Sequence, residues 1–146
     1  CPGIIPGGRV SHAVTSTLDL LPTFASLAGC SLPDDRVIDG YDLSGVLKEE
    51  APSPRETMFY YRGEQLMAVR HGPFKAHFMT QPGYGPGSNQ PTRHDPPLRY
   101  QLEHDPGEER NVADSHAAVI AEIRRVTEEH LATVKSVPSQ LEIPLR

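Results

Sequence analysis

Cysteine is almost missing from this chain: Cys1 and Cys30 are the only two in 146 residues. Two cysteines cannot build a disulfide framework, and no Cys-x-x-Cys spacing occurs, which argues against a zinc ribbon or a thioredoxin-type site. Cys30 reads as a small apolar residue following a helix. Basic residues are in the minority, 14 Lys and Arg against 19 Asp and Glu, for a net charge of −5. That balance lacks the basic field of a nucleic-acid binder. No apolar run approaches the ~20 residues of a membrane span, so no membrane partner is expected. The opening Cys1-Pro2-Gly3 has neither the basic start nor the apolar stretch of a secretory leader.

Catalytic signatures are missing as well. There is no Gly-x-Ser-x-Gly elbow and no phosphate-cradling Gly-x-x-x-x-Gly-Lys-Ser/Thr. The histidines His12, His71, His77, His94, His104, His116 and His130 show no metal-ligand spacing. Asp34, Asp35, Asp39 and Asp42 lie close together but do not follow the EF-hand series, and turn and cap roles suit them better. No metal site and no catalytic residue is expected within the chain itself.

What is present is one domain's worth of polypeptide, rich in punctuation, with 15 Pro and 12 Gly. That composition predicts a loop-rich globular domain. Residues 1–50 begin irregularly, with Val10 to Thr15 as a short extended candidate. Leu20, Leu21, Phe24, Leu27 and Ala28 then recur at helical spacing. Thr17 or Asp19 suits the cap, Pro22 the first turn, and Gly29 the left-handed stop. Asp42 is placed to cap a short helix ending near Leu47.

Residues 56–104 read as sheet. Thr57–Tyr61, Leu66–Arg70 and Phe74–Met79 are strand candidates separated by Arg62-Gly63-Glu64 and His71-Gly72-Pro73. Period two puts Phe74, Ala76 and Phe78 on one face, the pattern of an antiparallel meander. Leu98–Leu102 is a fourth strand after a long interruption, Thr80 to Pro97, whose length suits either a functional loop or a disordered surface loop. Asp105-Pro106-Gly107-Glu108 is a turn. Asp114 or Ser115 then opens a helix to about Lys135, with Val119, Ile120, Ile123, Val126, Leu131 and Val134 as its apolar stripe. The fold class is α+β: a small four-stranded antiparallel sheet packed on a long C-terminal helix, preceded by another helix.

Several segments, in order, resemble the type I sulfatases. They are Pro2-Gly3-Ile4-Ile5-Pro6-Gly7, Leu18-Asp19-Leu20-Leu21-Pro22-Thr23, Leu27-Ala28-Gly29 and Asp35 through Leu43. Phe59-Tyr60-Tyr61-Arg62-Gly63, Leu66-Met67-Ala68, Lys75-Ala76-His77-Phe78 and Asp105-Pro106-Gly107-Glu108 continue the series. The likeness runs from Pro2 to about Pro138 and is greatest to the arylsulfatase A and N-acetylgalactosamine-6-sulfatase branch. It implies that 1–50 is the last segment of the large sulfatase α/β domain and 51–146 the C-terminal subdomain, with a long loop at 80–97.

The resemblance also implies what this chain does not carry. Family members use a formylglycine made from Cys in a Cys-x-Pro/Ser-x-Arg motif, together with a calcium ion. Cys30-Ser31-Leu32-Pro33 has its proline one position late, and Cys1-Pro2-Gly3 also fails. The nucleophile and calcium ligands of the family lie upstream of the matching stretch. The expectation is therefore a chain inactive alone, whose partner is the catalytic sulfatase domain, and whose loop walls the substrate cleft. Tyr84 and His94 are the rim residues expected to meet a sulfated small molecule or glycan. The family setting implies a periplasmic, secreted or lysosomal parent. Two other readings remain open. One is a stand-alone binding module in which Lys75, Arg93, His94 and Arg99 contact sulfate. The other is a homo-oligomer formed through Leu20, Leu21 and Phe24.

Overall fold

The computed structural model describes residues 3–83, 90–113, 115 and 117–135. They fall into two compact units, Cys1–Glu56 and Thr57–Arg146.

The first unit is organised around one helix. A 3-10 turn, Thr17–Asp19, leads into α1, Leu20–Leu27. Ser16 caps the 3-10 turn: its Oγ accepts from the Leu18 N–H, and the Asp19 carboxylate accepts from the Ser16 N–H at 2.7 Å, while Asp19, not Thr17, stands at the N-cap position of α1. Such reciprocal bonding satisfies donors that have no partner inside the helix. Pro22 is tolerated because it sits in the first turn. Gly29, at φ +69°, ends the helix in the left-handed conformation, and the Cys30 N–H closes back on the Ala25 carbonyl at 2.8 Å. A four-residue helix, α2, spans Ser44–Leu47, and Asp42 Oδ1 accepts from the Ser44 N–H just ahead of it. The stretch Val10–Thr15 forms no strand.

The buried residues of α1 are Pro22 and Thr23. Leu20, Leu21 and Phe24 are 50%, 56% and 62% exposed. The polar Thr23 goes inward because its Oγ1 donates to the Asp19 carbonyl at 2.6 Å and accepts from the Leu43 N–H at 2.9 Å. The chain at Gly40 passes so close that a Cβ there would stand 2.0 Å from the Leu18 carbonyl oxygen. Only glycine fits at that contact.

The second unit is the expected α+β arrangement. Strands β1 (Thr57–Arg62), β2 (Gln65–His71), β3 (Phe74–Thr80) and β4 (Thr92–Gln101) form one antiparallel sheet in the order β1-β2-β3-β4. Gly63 and Gly72 open the two short hairpin loops at φ +58° and +55°, a conformation glycine adopts without a steric penalty. Helix α3, Ala117–Thr133, covers one face. Its Ile123 is sealed against Val69 and Ala76, with Phe59, Phe74, Phe78, Val119, Ile120 and Val126 around them. The apolar stripe stops short of the helix end, where Leu131 is 47% exposed.

β4 begins at Thr92, six residues before the Leu98 start suggested by residue type. Pairing of Thr80 with Thr92 and of Met79 with Arg93, after a register irregularity between His77 and Met79, carries the ladder into what reads as loop. Pro96 and Pro97 are admitted because β4 is an edge strand, where a missing N–H need not interrupt the ladder.

Candidate functional site

Strand alternation sends Ala76 into the helix-covered core and its neighbours Lys75 and His77 to the opposite face. A third group reaches them from the turn after β4. The Asp105 carboxylate accepts from the N–H groups of Glu109 and Arg110 at 3.0 and 2.9 Å, curling the backbone. Glu108 within that curl adopts φ +55°, a costly conformation for a residue with a Cβ. The side chain is thereby aimed back at the sheet. One carboxylate oxygen receives Lys75 Nζ at 2.5 Å and the other His77 Nε2 at 2.5 Å. Lys75 Nζ also stands 4.7 Å from the Tyr60 ring centre, and the His77 ring meets Tyr100 edge-on at 5.7 Å.

The electrostatics follow from this packing. Burial holds His77 below its ordinary range and outweighs the opposing pull of Glu108. The imidazole is therefore neutral near pH 7, with Nε2–H donating to the carboxylate. For Glu108, burial works toward a higher pKa, but the hydrogen bonds from Lys75 and His77 prevail and lower it. Arg70, the register partner of Lys75, spends its Nε–H on the Gly72 carbonyl at 3.0 Å.

Of the rim candidates, His94 is half-buried, with Nε2 2.8 Å from Thr80 Oγ1, across the base of the β3–β4 connection. Tyr84 lies outside the described residues. Arg93 is exposed on β4. Arg99 differs from the sulfate-contact reading: it is 1% exposed, and its guanidinium donates to the carbonyls of Val112, Ala113 and Ser115. Its position opposite Ala76 in the β3–β4 register puts it on the core face, where it binds the segment leading into α3. Lys75 and His77 belong to one strand face, which period two makes legible. Glu108 was missed as their partner because its approach depends on a left-handed backbone at a non-glycine residue.

The first unit contains a buried, hydrogen-bonded ion pair, Asp19 with Arg55. Arg55 donates twice to the carboxylate and once to the Asp39 carbonyl, and its guanidinium lies 4.7 Å from the Tyr41 ring centre. These bonds tie the start of α1 to the end of the unit, as a structural cross-link does. Cys30 is exposed, and its thiol approaches only the Ala28 carbonyl. Among the described residues, no three His, Cys, Asp or Glu side chains converge to hold a metal ion.

The second unit is thus a meander of four strands on one helix, and a helical unit precedes it in the sequence. Residues 53–144 match the family described as the C-terminal region of aryl-sulfatase, and this chain belongs to that family. Arylsulfatase A of Bos taurus is 44% identical over 128 residues, which cover 78% of this chain and 25% of that protein. N-acetylgalactosamine-6-sulfatase of Canis lupus familiaris is 38% identical over 160 residues, covering 95% of this chain and 30% of its own length. Among solved structures, PsFucS1 sulfatase from Pseudoalteromonas sp. superposes with a TM-score of 0.80 at 23% identity, over 93% of this chain and 29% of that one. The chain thus spans between a quarter and a third of the proteins it matches.

Proposed function

We propose that this chain serves as the C-terminal part of a sulfuric ester hydrolase of the arylsulfatase or N-acetylgalactosamine-6-sulfatase type, shaping the substrate cleft while the rest of the enzyme performs hydrolysis. The carrying observation is coverage: relatives of those two names match most of this chain with only 25% and 30% of their own length. The absence of a Cys-x-Pro/Ser-x-Arg motif supports the same division of labour. The partner is then the remaining catalytic portion of such an enzyme. The exposed Leu20, Leu21 and Phe24 give that portion an apolar face to cover. The β3–β4 connection, with Tyr84 and His94, is the proposed rim that selects among sulfated small molecules and glycans.

The isolated chain, supplied with 4-nitrophenyl sulfate and calcium, is expected to show no turnover above buffer; enzyme-like turnover would refute the division. Within an intact enzyme carrying this C-terminal part, His94→Ala is expected to change the ratio of kcat/KM between aryl and sugar sulfates by about threefold or more. An unchanged ratio removes His94 from the rim. The exposed face of α1 favours one second reading, self-association of the chain. Light scattering decides it, since a strict monomer excludes that reading.

A further inference from the structure

Arg70 and Lys75 are direct register partners on β2 and β3. Alternation from the buried Val69 and Ala76 turns both toward the face away from α3. Two like charges directly opposite one another in an antiparallel pair repel, and a sheet carries such a pair at a cost unless an anion lies between them. The chain as a whole has a net charge of −5, so the pair does not belong to a general basic surface. His77 extends the same row by one alternate position and adds an N–H donor. Against the two cations Arg70 and Lys75, Glu108 contributes a single carboxylate, bonded to Lys75 and His77.

Glu108 is a tethered occupant, held by the Asp105 turn at a backbone cost, φ +55°. Its side chain remains 26% exposed, so solvent reaches it where it lies on the two donors. The Tyr60 ring beneath Lys75 is 37% exposed and flanks the same place with an aromatic surface.

We propose that the sheet face formed by Arg70, Lys75 and His77 is a seat for a tetrahedral oxyanion, a sulfate or phosphate group, with Glu108 as the carboxylate it displaces. The two Glu108 oxygens, each 2.5 Å from its donor, mark where two oxyanion oxygens sit. Arg70 supplies the further planar donor that suits such a group. The organic part of an ester then lies along Tyr60. His94 is not one of the seat residues, so the proposal is tested separately from its cleft-rim role.

The test is a titration of this chain with sodium sulfate at constant ionic strength against chloride, read at the His77 imidazole signals by NMR. A saturable shift with sulfate and none with chloride is expected. Arg70→Met leaves the Lys75–Glu108–His77 contacts in place and is expected to weaken binding about tenfold, while Glu108→Gln, by removing the competitor's charge, is expected to tighten it about tenfold. A shift that is linear and equal for sulfate and chloride overturns the seat. Unchanged affinity in a folded Arg70→Met protein also overturns it, whether or not Glu108→Gln folds. Saturation by 4-nitrophenyl sulfate assigns the site to sulfate esters, and saturation by phosphate alone assigns it to phosphate groups.

Discussion

Arg55 grips the carboxylate of Asp19 across 36 residues of sequence, and the two side chains are 7% and 0% exposed. The bond joins the start of α1 to the end of the first unit. Replacing such a pair with well-packed apolar groups is often tolerable, but removing one partner leaves a buried charge without compensation. Asp19→Ala is therefore expected to destabilise the first unit by about 3–5 kcal/mol. The Asp19 pKa is lowered: burial opposes the shift, and the Arg55 bond and the N–H groups of Tyr41 and Ser16 outweigh it. Stability from this group is thus complete above its ordinary value of 3.8 and is lost as pH falls through the folded value. Urea denaturation followed by a probe on α1 measures both effects, and an Asp19→Ala protein as stable as the parent contradicts the cross-link.

Arg99 is the corresponding fastener of the second unit. Its guanidinium gathers the carbonyls of Val112, Ala113 and Ser115. Arg99→Leu keeps apolar bulk but removes the charged hydrogen bonds to the Val112, Ala113 and Ser115 carbonyls, at about 1–3 kcal/mol in all. The expected result is a lower denaturation midpoint, with faster amide exchange concentrated in residues 111–113 and the start of α3. Uniform loss across the sheet, with no excess in that segment, would show that Arg99 acts only by filling space.

Acidification is expected to weaken the second unit in two stages. Both His77 and Glu108 have folded pKa values below their ordinary ones, 6.5 and 4.5. In each case the unfolded chain binds protons first as pH falls, so acid favours unfolding. Stability is complete above pH 6.5, declines as pH falls below that value because of His77, and declines again below 4.5 because of Glu108. His77→Gln is expected to remove the upper stage and leave the lower one. Denaturation curves at neutral, mildly acidic and strongly acidic pH check this, and an upper stage that persists in His77→Gln assigns it to another histidine.

The parts of the fold that were readable in advance are those set by local chemistry. The period-two run at Phe74–Phe78 and the turns at Gly63 and Gly72 determine the hairpins, because side-chain alternation and glycine's backbone freedom act within a few residues. α3 was legible for the same reason, from the spacing of Val119, Ile120, Ile123 and Val126. The start of β4 was not legible, since Pro96 and Pro97 argue against a strand unless it is known to lie at a sheet edge. On α1, the residues that look like core are outside and Thr23 is inside, because its hydroxyl meets the Leu43 N–H, a partner 20 residues away. The site divides in the same manner. Lys75 and His77 share a face by alternation, whereas Glu108 joins them through a sequence separation of 31 residues from His77 and a backbone angle that residue type disfavours.

The strand order β1-β2-β3-β4 has a kinetic consequence. Each ladder joins neighbours along the chain, and the first two hairpins close over very short connections. Closing a wider connection costs more chain entropy, and the β3–β4 gap from Thr80 to Thr92 is the widest in the sheet. Assembly then begins at the tight turns and proceeds outward, with the fourth strand zipped on after the other three. The Glu108 turn follows that strand in the chain, and its contacts with Lys75 and His77, over 33 and 31 residues, carry a larger closure cost than either tight hairpin.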